Sequence, residues 1–315
     1  MSRLSKKEKL RRYHAIYDQI YQNPRIHIHE ISKNLKMARN TISSYLKYMY
    51  ESGILLGPEL RLKYYPGLNE YICLAKFDDP YEAFDQIQMD ENVSYASMFF
   101  GDWNIMVTSN GPYDLSQISG FESLVFEGER YDITAPRVPS LSNWKTAFQK
   151  MKQEINEFDP DSVNDPNYAD RRPSHWDKEE WELFYEYKYN FRKKVTPVLR
   201  KNLISSDKFY RWIEALPDTA NVSTRFFADG MWNYTHFGFF FETNYAEAVT
   251  SILSNLPTSI YSIDIDKGLI VTVSIKSDIA SAFVGFFDIL HEMRTHGIIN
   301  RFHQAITVLY YFKEE

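Results

Sequence analysis

The sequence predicts an α+β fold. A small basic helical head comes first, a βαββαβ unit follows it, and a second, divergent pass through the same order completes the chain. Three observations predict this. Residues 1–63 contain 13 Lys/Arg against 5 Asp/Glu, a net of +8, whereas the remaining 252 residues hold 23 against 37, a net of −14. Helical spacing of apolar residues persists to Gly53, and strand-like runs begin near residue 69. The apolar register of the head then returns at an offset of 167.

A chain of 315 residues is long enough for two or more domains, and 44% apolar with 16% aromatic residues can bury a real core. One cysteine, Cys73, cannot form an internal disulfide, and the strand-like run "EYICLAKF" reads it as a core thiol. "MSRLSKKEKLRRYHAIYDQI" is basic, with no apolar run behind it, so no signal peptide is expected. No window approaches ~18 apolar residues. The expectation is a soluble, cytoplasmic protein with no membrane partner.

The first predicted domain is a winged helix-turn-helix over 1–66. "RRYHAIYDQIYQN" is amphipathic through Tyr13, Ile16, Ile20 and Tyr21, and Pro24 stops it. "HEISKNLK" is a short second helix with Ile31 and Leu35 four apart, and "NTISSYLKYMYES" a third closed by Gly53. "ILLGPELRLKYY" reads as a two-stranded wing turning at Gly57-Pro58. The third helix has an apolar stripe of Ile42, Leu46 and Met49, and an opposite stripe of Asn40, Ser43, Ser44 and Lys47. Small donors without carboxylates suit a helix laid in the major groove, where base edges are read and phosphates lie close. Arg39 at the helix start and Arg61 and Lys63 on the wing are expected to hold the backbone. With Thr41 these complete the candidate contacts to double-stranded DNA: Arg39, Asn40, Thr41, Ser43, Ser44, Lys47, Arg61 and Lys63.

Residues 67–147 give strand, helix, strand, strand, helix, strand. The strands are "NEYICLAKF", "VSYASMFF", "NIMVTSN" and "RYDITAPRV", and the helices "DPYEAFDQIQM" and one near "DLSQISGFESLV". That order is the ferredoxin-like pattern.

A winged helix containing "EISKNLKMARNTISSYLKYMYESGIL", then a βαββαβ domain with "FFGDWNIMV" at its central hairpin, resembles the Lrp/AsnC transcriptional regulators. Thr41-Ile42-Ser43 keeps the core of that family's recognition segment, without its proline and paired arginines. Gly101-Asp102-Trp103-Asn104 resembles the family's Gly-x-Tyr-Asp turn. The resemblance implies that the second domain pairs subunits and binds a small-molecule effector near Gly101, Asp102, Trp103 and Asn104, with Phe99, Phe100 and Ile105 beside it.

Residues 148–175 are acidic and rich in Pro and Asn, which reads as a linker. A degenerate second winged helix over 176–230 follows. Met37 falls on Ile204, Ile42 on Phe209, Tyr45 on Trp212, Leu46 on Ile213 and Met49 on Leu216. Its outer face changes: Asn40 becomes Asp207, Ser44 becomes Arg211 and Lys47 becomes Glu214. Carboxylates there argue against groove insertion. A second ferredoxin-like domain spans 231–315, with the hairpin Asp266-Lys267-Gly268 in place of the Gly-x-Trp-Asn turn. With one competent reading helix per chain, a homodimer is expected on DNA.

No phosphate-binding glycine loop, CxxC pair, HExxH or Gly-x-Ser-x-Gly is present. His27 and His29 flank Ile28 without further ligands, so neither a metal nor a cofactor is expected, and the chain reads as a regulator rather than an enzyme. Two alternatives remain open. Siroheme decarboxylases look like paired Lrp/AsnC units, but their histidine- and arginine-bearing motif is not recognisable, and "GMWNYTHFGFFF" offers only His236. A protein-interaction scaffold using the winged helices is the other.

Overall fold

A computed structural model describes residues 5–139, 143–162, 168–276 and 279–312. Three helices open the chain: α1 (Lys6–Gln22), α2 (Ile28–Leu35) and α3 (Arg39–Glu51). Ser5 caps α1 by accepting from the Glu8 amide, and Lys36 ends α2 in the left-handed conformation at φ 52°. Ile16, Ile20, Ile31, Ile42, Leu46 and Met49 form their common core.

The expected wing does not form. Residues 55–62 make one strand, β1 (Leu55–Leu62), which slips register between Leu56 and Glu59 instead of turning back. A Cβ on Gly57, at φ +79°, would lie 2.4 Å from the Ser223 carbonyl oxygen, so the close approach of another strand demands glycine there. That strand is β6 (Ala220–Phe226), antiparallel to β1 and more than 150 residues away in sequence.

Between them lies the first βαββαβ region: β2 (Glu70–Phe77), α4 (Pro80–Ile87), β3 (Val93–Gly101), β4 (Ile105–Asn110) and β5 (Phe121–Thr134). Its second helix is reduced to a 3-10 turn at Leu115–Gln117. Asp114 captures the amide and hydroxyl of Ser116, and Gly120 at φ +77° turns the chain into β5. The segment expected to be all linker begins inside a helix, α5 (Trp144–Asn156), whose Ala147, Met151 and Ile155 are buried. Tyr168 and Arg171 then strap the barrel, bonding to Asp264 (2.7 Å) and Asp132 (2.7 Å).

The second helical group is α6 (Lys178–Tyr187), α7 (Val195–Asn202) and α8 (Ser206–Thr219). The bounds of α7 are those of α2 displaced by 167, and Leu203 ends α7 at φ 56° as Lys36 ends α2. After β6 come β7 (Tyr234–Glu242), α9 (Ala246–Ser254), β8 (Tyr261–Ile265), β9 (Gly268–Lys276), α10 (Ala280–Thr295) and β10 (Arg301–Phe312). Here both helices are present, and with α5 they cover the sheet over Phe239, Phe241, Phe286 and Leu290.

The eight strands close into one barrel in the order β10-β3-β4-β2-β5-β8-β9-β7. Each βαββαβ region contributes four strands in the same relative order, and the last strand of each pairs with the second strand of the other. The barrel therefore has no free edge for a further strand. Ile72, Leu74, Phe99, Trp103, Phe240 and Ile270 fill its interior.

The helical groups are also joined reciprocally. Arg25 donates to the carbonyls of Phe191 and Lys193, and Arg192 donates to those of Pro24 (2.6 Å) and Ile26 (2.8 Å). These arginines are 167 apart, and so are the carbonyls they reach, so the two helical groups make the same contact twice.

Candidate nucleic-acid interface

The groove side of α3 is open. Arg39, Asn40, Ser43, Ser44 and Lys47 are exposed, Thr41 is half-buried, and Ile42, Leu46 and Met49 on the other side are buried. Between Arg39 and Tyr50 the helix has no carboxylate; Lys47 reaches only Glu51 one turn later, at 3.8 Å. Beside its start, a groove of about 490 Å³ runs between α1 and the α2–α3 turn, lined among others by Arg11, Arg12, Lys36 and Thr41. Lys7, Lys9 and Arg11 on α1 are exposed as well.

Two of the expected contacts are elsewhere. Arg61 is not on a wing: its side chain is 14% exposed, paired with Glu59 (3.0 Å) and bonded to the Tyr261 hydroxyl (2.9 Å). Arg225 reaches the other oxygen of Glu59 at 2.8 Å. Burial opposes the charge on Glu59, but these two guanidiniums hold its carboxyl below the usual range. Arg61 thus ties the helical pair to the barrel and is withdrawn from the DNA contacts. Lys63 caps the end of α8, donating to the Pro217 carbonyl at 2.6 Å. Neither position could be read from local pattern, because Tyr261 and Pro217 lie more than 150 residues away from Arg61 and Lys63.

The hairpin Gly101-Asp102-Trp103-Asn104 is occupied with structural work. A Cβ on Gly101 would lie 2.4 Å from the Gln304 carbonyl oxygen. Asp102 exchanges bonds with the Gln304 backbone (2.8 and 2.9 Å), and Asn104 brackets the Phe77 amide and carbonyl (2.8 and 2.7 Å). Trp103 is fully buried, 5.6 Å from Phe99. Of the neighbours expected to line an effector pocket, Phe99 faces the barrel interior, Ile105 packs under α4 and Phe100 is 77% exposed. The structure does not bring the three together.

Titratable groups elsewhere are anchored. His236 bonds to Ser274 (2.8 Å) and the Met231 carbonyl (3.1 Å), and its burial lowers its pKa. His303 stacks on Phe240 at 5.7 Å. Asp264 is pushed up to about 6, chiefly by burial, with Asp132 and Glu247 adding to the rise and Tyr168 and Arg171 opposing it. Among the described residues no His/Cys/Asp/Glu group could hold a metal, and no helix is long and apolar enough to cross a membrane.

Residues 14–55 match the family profile described as winged helix-turn-helix DNA-binding. No curated protein matches the sequence. Among solved structures, the siroheme decarboxylase NirDL covers 96% of this chain and 93% of its own, at a TM-score of 0.50 and 12% identity. The same enzyme in complex with an iron-uroporphyrin III analogue covers 98% and 93%, at 0.47 and 10%. AsnC of E. coli covers 37% of this chain and 87% of its own, at 0.30 and 16%. The chain is an α+β protein whose N-terminal residues match a winged helix-turn-helix profile and whose overall fold is shared with NirDL. The expectation that it is not an enzyme does not stand, because the fold it shares from end to end is that of an enzyme.

Proposed function

We propose that the chain is a sequence-specific, double-stranded-DNA-binding transcriptional regulator of Lrp/AsnC type, made of two divergent copies of the family's unit. The observation that carries this reading is the exposed, carboxylate-free face of α3 on a head with a net charge of +8. In a helix-turn-helix the second helix of the motif enters the major groove and the first crosses the backbone. Asn40 has the donor–acceptor pair that suits an adenine edge, and Ser43 and Ser44 are short enough to let the helix approach. Arg39 and Lys47 supply phosphate contacts, with Lys36 and Arg11 beside them. The remainder of the chain carries a net −14, so the head is the surface best suited to read the duplex.

The test is duplex binding by the full chain after selection of genomic fragments. Asn40→Ala should flatten the sequence preference, and Arg39→Ala should weaken all sequences alike with a salt slope about one unit smaller. Deleting 1–63 is a poor test, because it also removes β1 from the second helical core. Absence of salt-dependent binding at low ionic strength sinks the reading.

A second reading, a siroheme-decarboxylase-like enzyme, is supported by the chain-long likeness to NirDL. Its test is a Soret band shift when iron uroporphyrin III is added to the purified chain, followed by an assay for carbon dioxide release.

A further inference from the structure

The second helix-turn-helix is not electrically neutral where it matters. Apart from Asp207, its acidic residues lie at the cap of α6, along α6 and in the C-terminal half of α8. Residues 193–211, covering α7, the turn and the start of α8, hold 6 Lys/Arg and a single acid, Asp207. The corresponding stretch of the first copy, 26–44, holds 3 Lys/Arg and Glu30. The copy whose recognition face is spoiled thus has the more basic turn. Part of this charge is engaged: Lys193 and Lys201 pair with Glu186, and Lys208 with Asp177 and Glu180. Lys194, Arg200 and Arg211 are exposed, and Arg200 lines a groove of about 480 Å³ with Thr196, Ser205 and Tyr210.

These positions belong to the part of the motif that meets the DNA backbone. Arg200 stands where Lys33 stands on α2, and Lys194 precedes α7 as His27 precedes α2. Asp207 and Glu214 keep α8 out of the groove by repulsion, yet a cation on the helix that crosses the backbone needs no groove insertion. The reciprocal Arg25 and Arg192 contacts join the chain just before α2 to the chain just before α7, which holds the two motifs side by side.

We propose that the second helix-turn-helix is a phosphate clamp: Lys194, Arg200 and Arg211 grip the DNA backbone about one helical turn from the site read by α3. This rests on the DNA-binding reading above and extends it. One chain then covers both half-sites, one read in sequence and the other held by charge, and its operator is asymmetric. No second chain is needed.

The experiment compares the full chain with Lys194→Gln/Arg200→Gln/Arg211→Gln on a selected duplex across a salt series. The exposed positions leave the melting temperature unchanged. The salt slope should fall by two to three units, affinity at 0.1 M salt by about two orders of magnitude, and base preference should not move. Hydroxyl-radical footprints should shrink from two protected patches about 34 Å apart to one, with one chain per site by light scattering. An unchanged slope in the triple variant, with binding by the parent chain intact, overturns the clamp alone. Two chains per site overturn it too, and no binding by the parent chain overturns both readings.

Discussion

The two helical groups share a backbone plan and differ in what fills and what coats it. In the first, small aliphatic residues such as Ile16, Ile20, Ile31 and Ile42 make the core. In the second, Tyr187 and Phe209 stand in place of Ile20 and Ile42, Trp212 is added to the core, and Leu183 and Val198 keep the aliphatic positions of Ile16 and Ile31. The middle of the third helix even turns slightly: Leu46 is buried in α3, but Trp212, the counterpart of Tyr45, is buried in α8. Meanwhile the outer stripe goes from Asn40, Ser44 and Lys47 to Asp207, Arg211 and Glu214. Core volume can be redistributed among apolar side chains while helix bounds stay fixed, so the fold tolerates this drift. The outer stripe is exposed and has no packing constraint, so its residues can change without cost to the fold.

The sharpest way to break the comparison is through the strands the copies exchange. Leu60 of β1 is buried in the second core, and Phe226 of β6 in the first. Phe226→Ala should cost about 3–5 kcal/mol and Leu60→Ala about 2–5 kcal/mol. Hydrogen exchange locates the damage: Leu60→Ala should deprotect α6–α8 although residue 60 precedes them by more than a hundred positions. Deprotection confined to α1–α3 would refute the exchange.

That exchange is also where the sequence stopped being informative. The bounds of α2 and α3, the strand order of both barrel regions and the offset of 167 were legible, because each rests on local periodicity or on comparison of the chain with itself. The wing was misread because Gly57-Pro58 looks the same locally whether the chain turns back or bulges to admit Ser223. Arg61 was misplaced because Glu59, Arg225 and Tyr261 converge only after β1 meets β6. The helix α5 was missed although Ala147, Met151 and Ile155 fall four apart, a signal outweighed by the acidic, proline-rich residues after it. At the Gly101–Asn104 turn the resemblance located a real hairpin, in which Gln304 and Phe77 engage Asp102 and Asn104 while the buried Trp103 Nε1 has no hydrogen-bond partner among the described residues.

Next in size is the reciprocal arginine contact. Arg25 lies over the rings of Tyr187 (5.0 Å), Phe191 (5.3 Å) and Phe209 (5.3 Å) besides its two carbonyl bonds. Among the described residues Arg192 lies over no ring, and its hydrogen bonds go to the Pro24 and Ile26 carbonyls of the first helical group. Arg25→Ala should therefore destabilise by about 2–3 kcal/mol in denaturant titration and Arg192→Ala by about 1–2 kcal/mol. Equal losses would mean that the ring contacts of Arg25 add nothing to the joint between the helical groups.

Restoring the reading face of the second copy tests the comparison by reversing it. Asp207→Asn with Glu214→Lys removes two negative charges and adds one positive charge on exposed positions of α8. Affinity for non-specific duplex should rise about tenfold at 0.1 M salt, and selection should recover sites closer to an inverted repeat. Unchanged affinity and an unchanged site would show that α8 faces away from DNA.

The smallest effect belongs to the barrel, where the two seams repeat the contrast on a lesser scale. The β3–β10 seam is locked by the Asp102–Gln304 backbone exchange, whereas the β5–β8 seam carries a buried ionisable strap, Tyr168 on Asp264 and Arg171 on Asp132. The raised pKa of Asp264, about 6, means that the folded state holds a proton that the unfolded chain releases near 4. Stability from this carboxyl is fullest below pH 4 and is lost as pH climbs to about 6, with Asp132 and Glu247 keeping the site negative and Arg171 offsetting them only in part. Asp264→Asn still accepts the Tyr168 hydroxyl and never ionises. Its melting temperature should exceed the parent's by about two degrees at pH 7–8, and the gap should close below pH 4. A gap that persists at acid pH would assign the gain to packing and not to the charge.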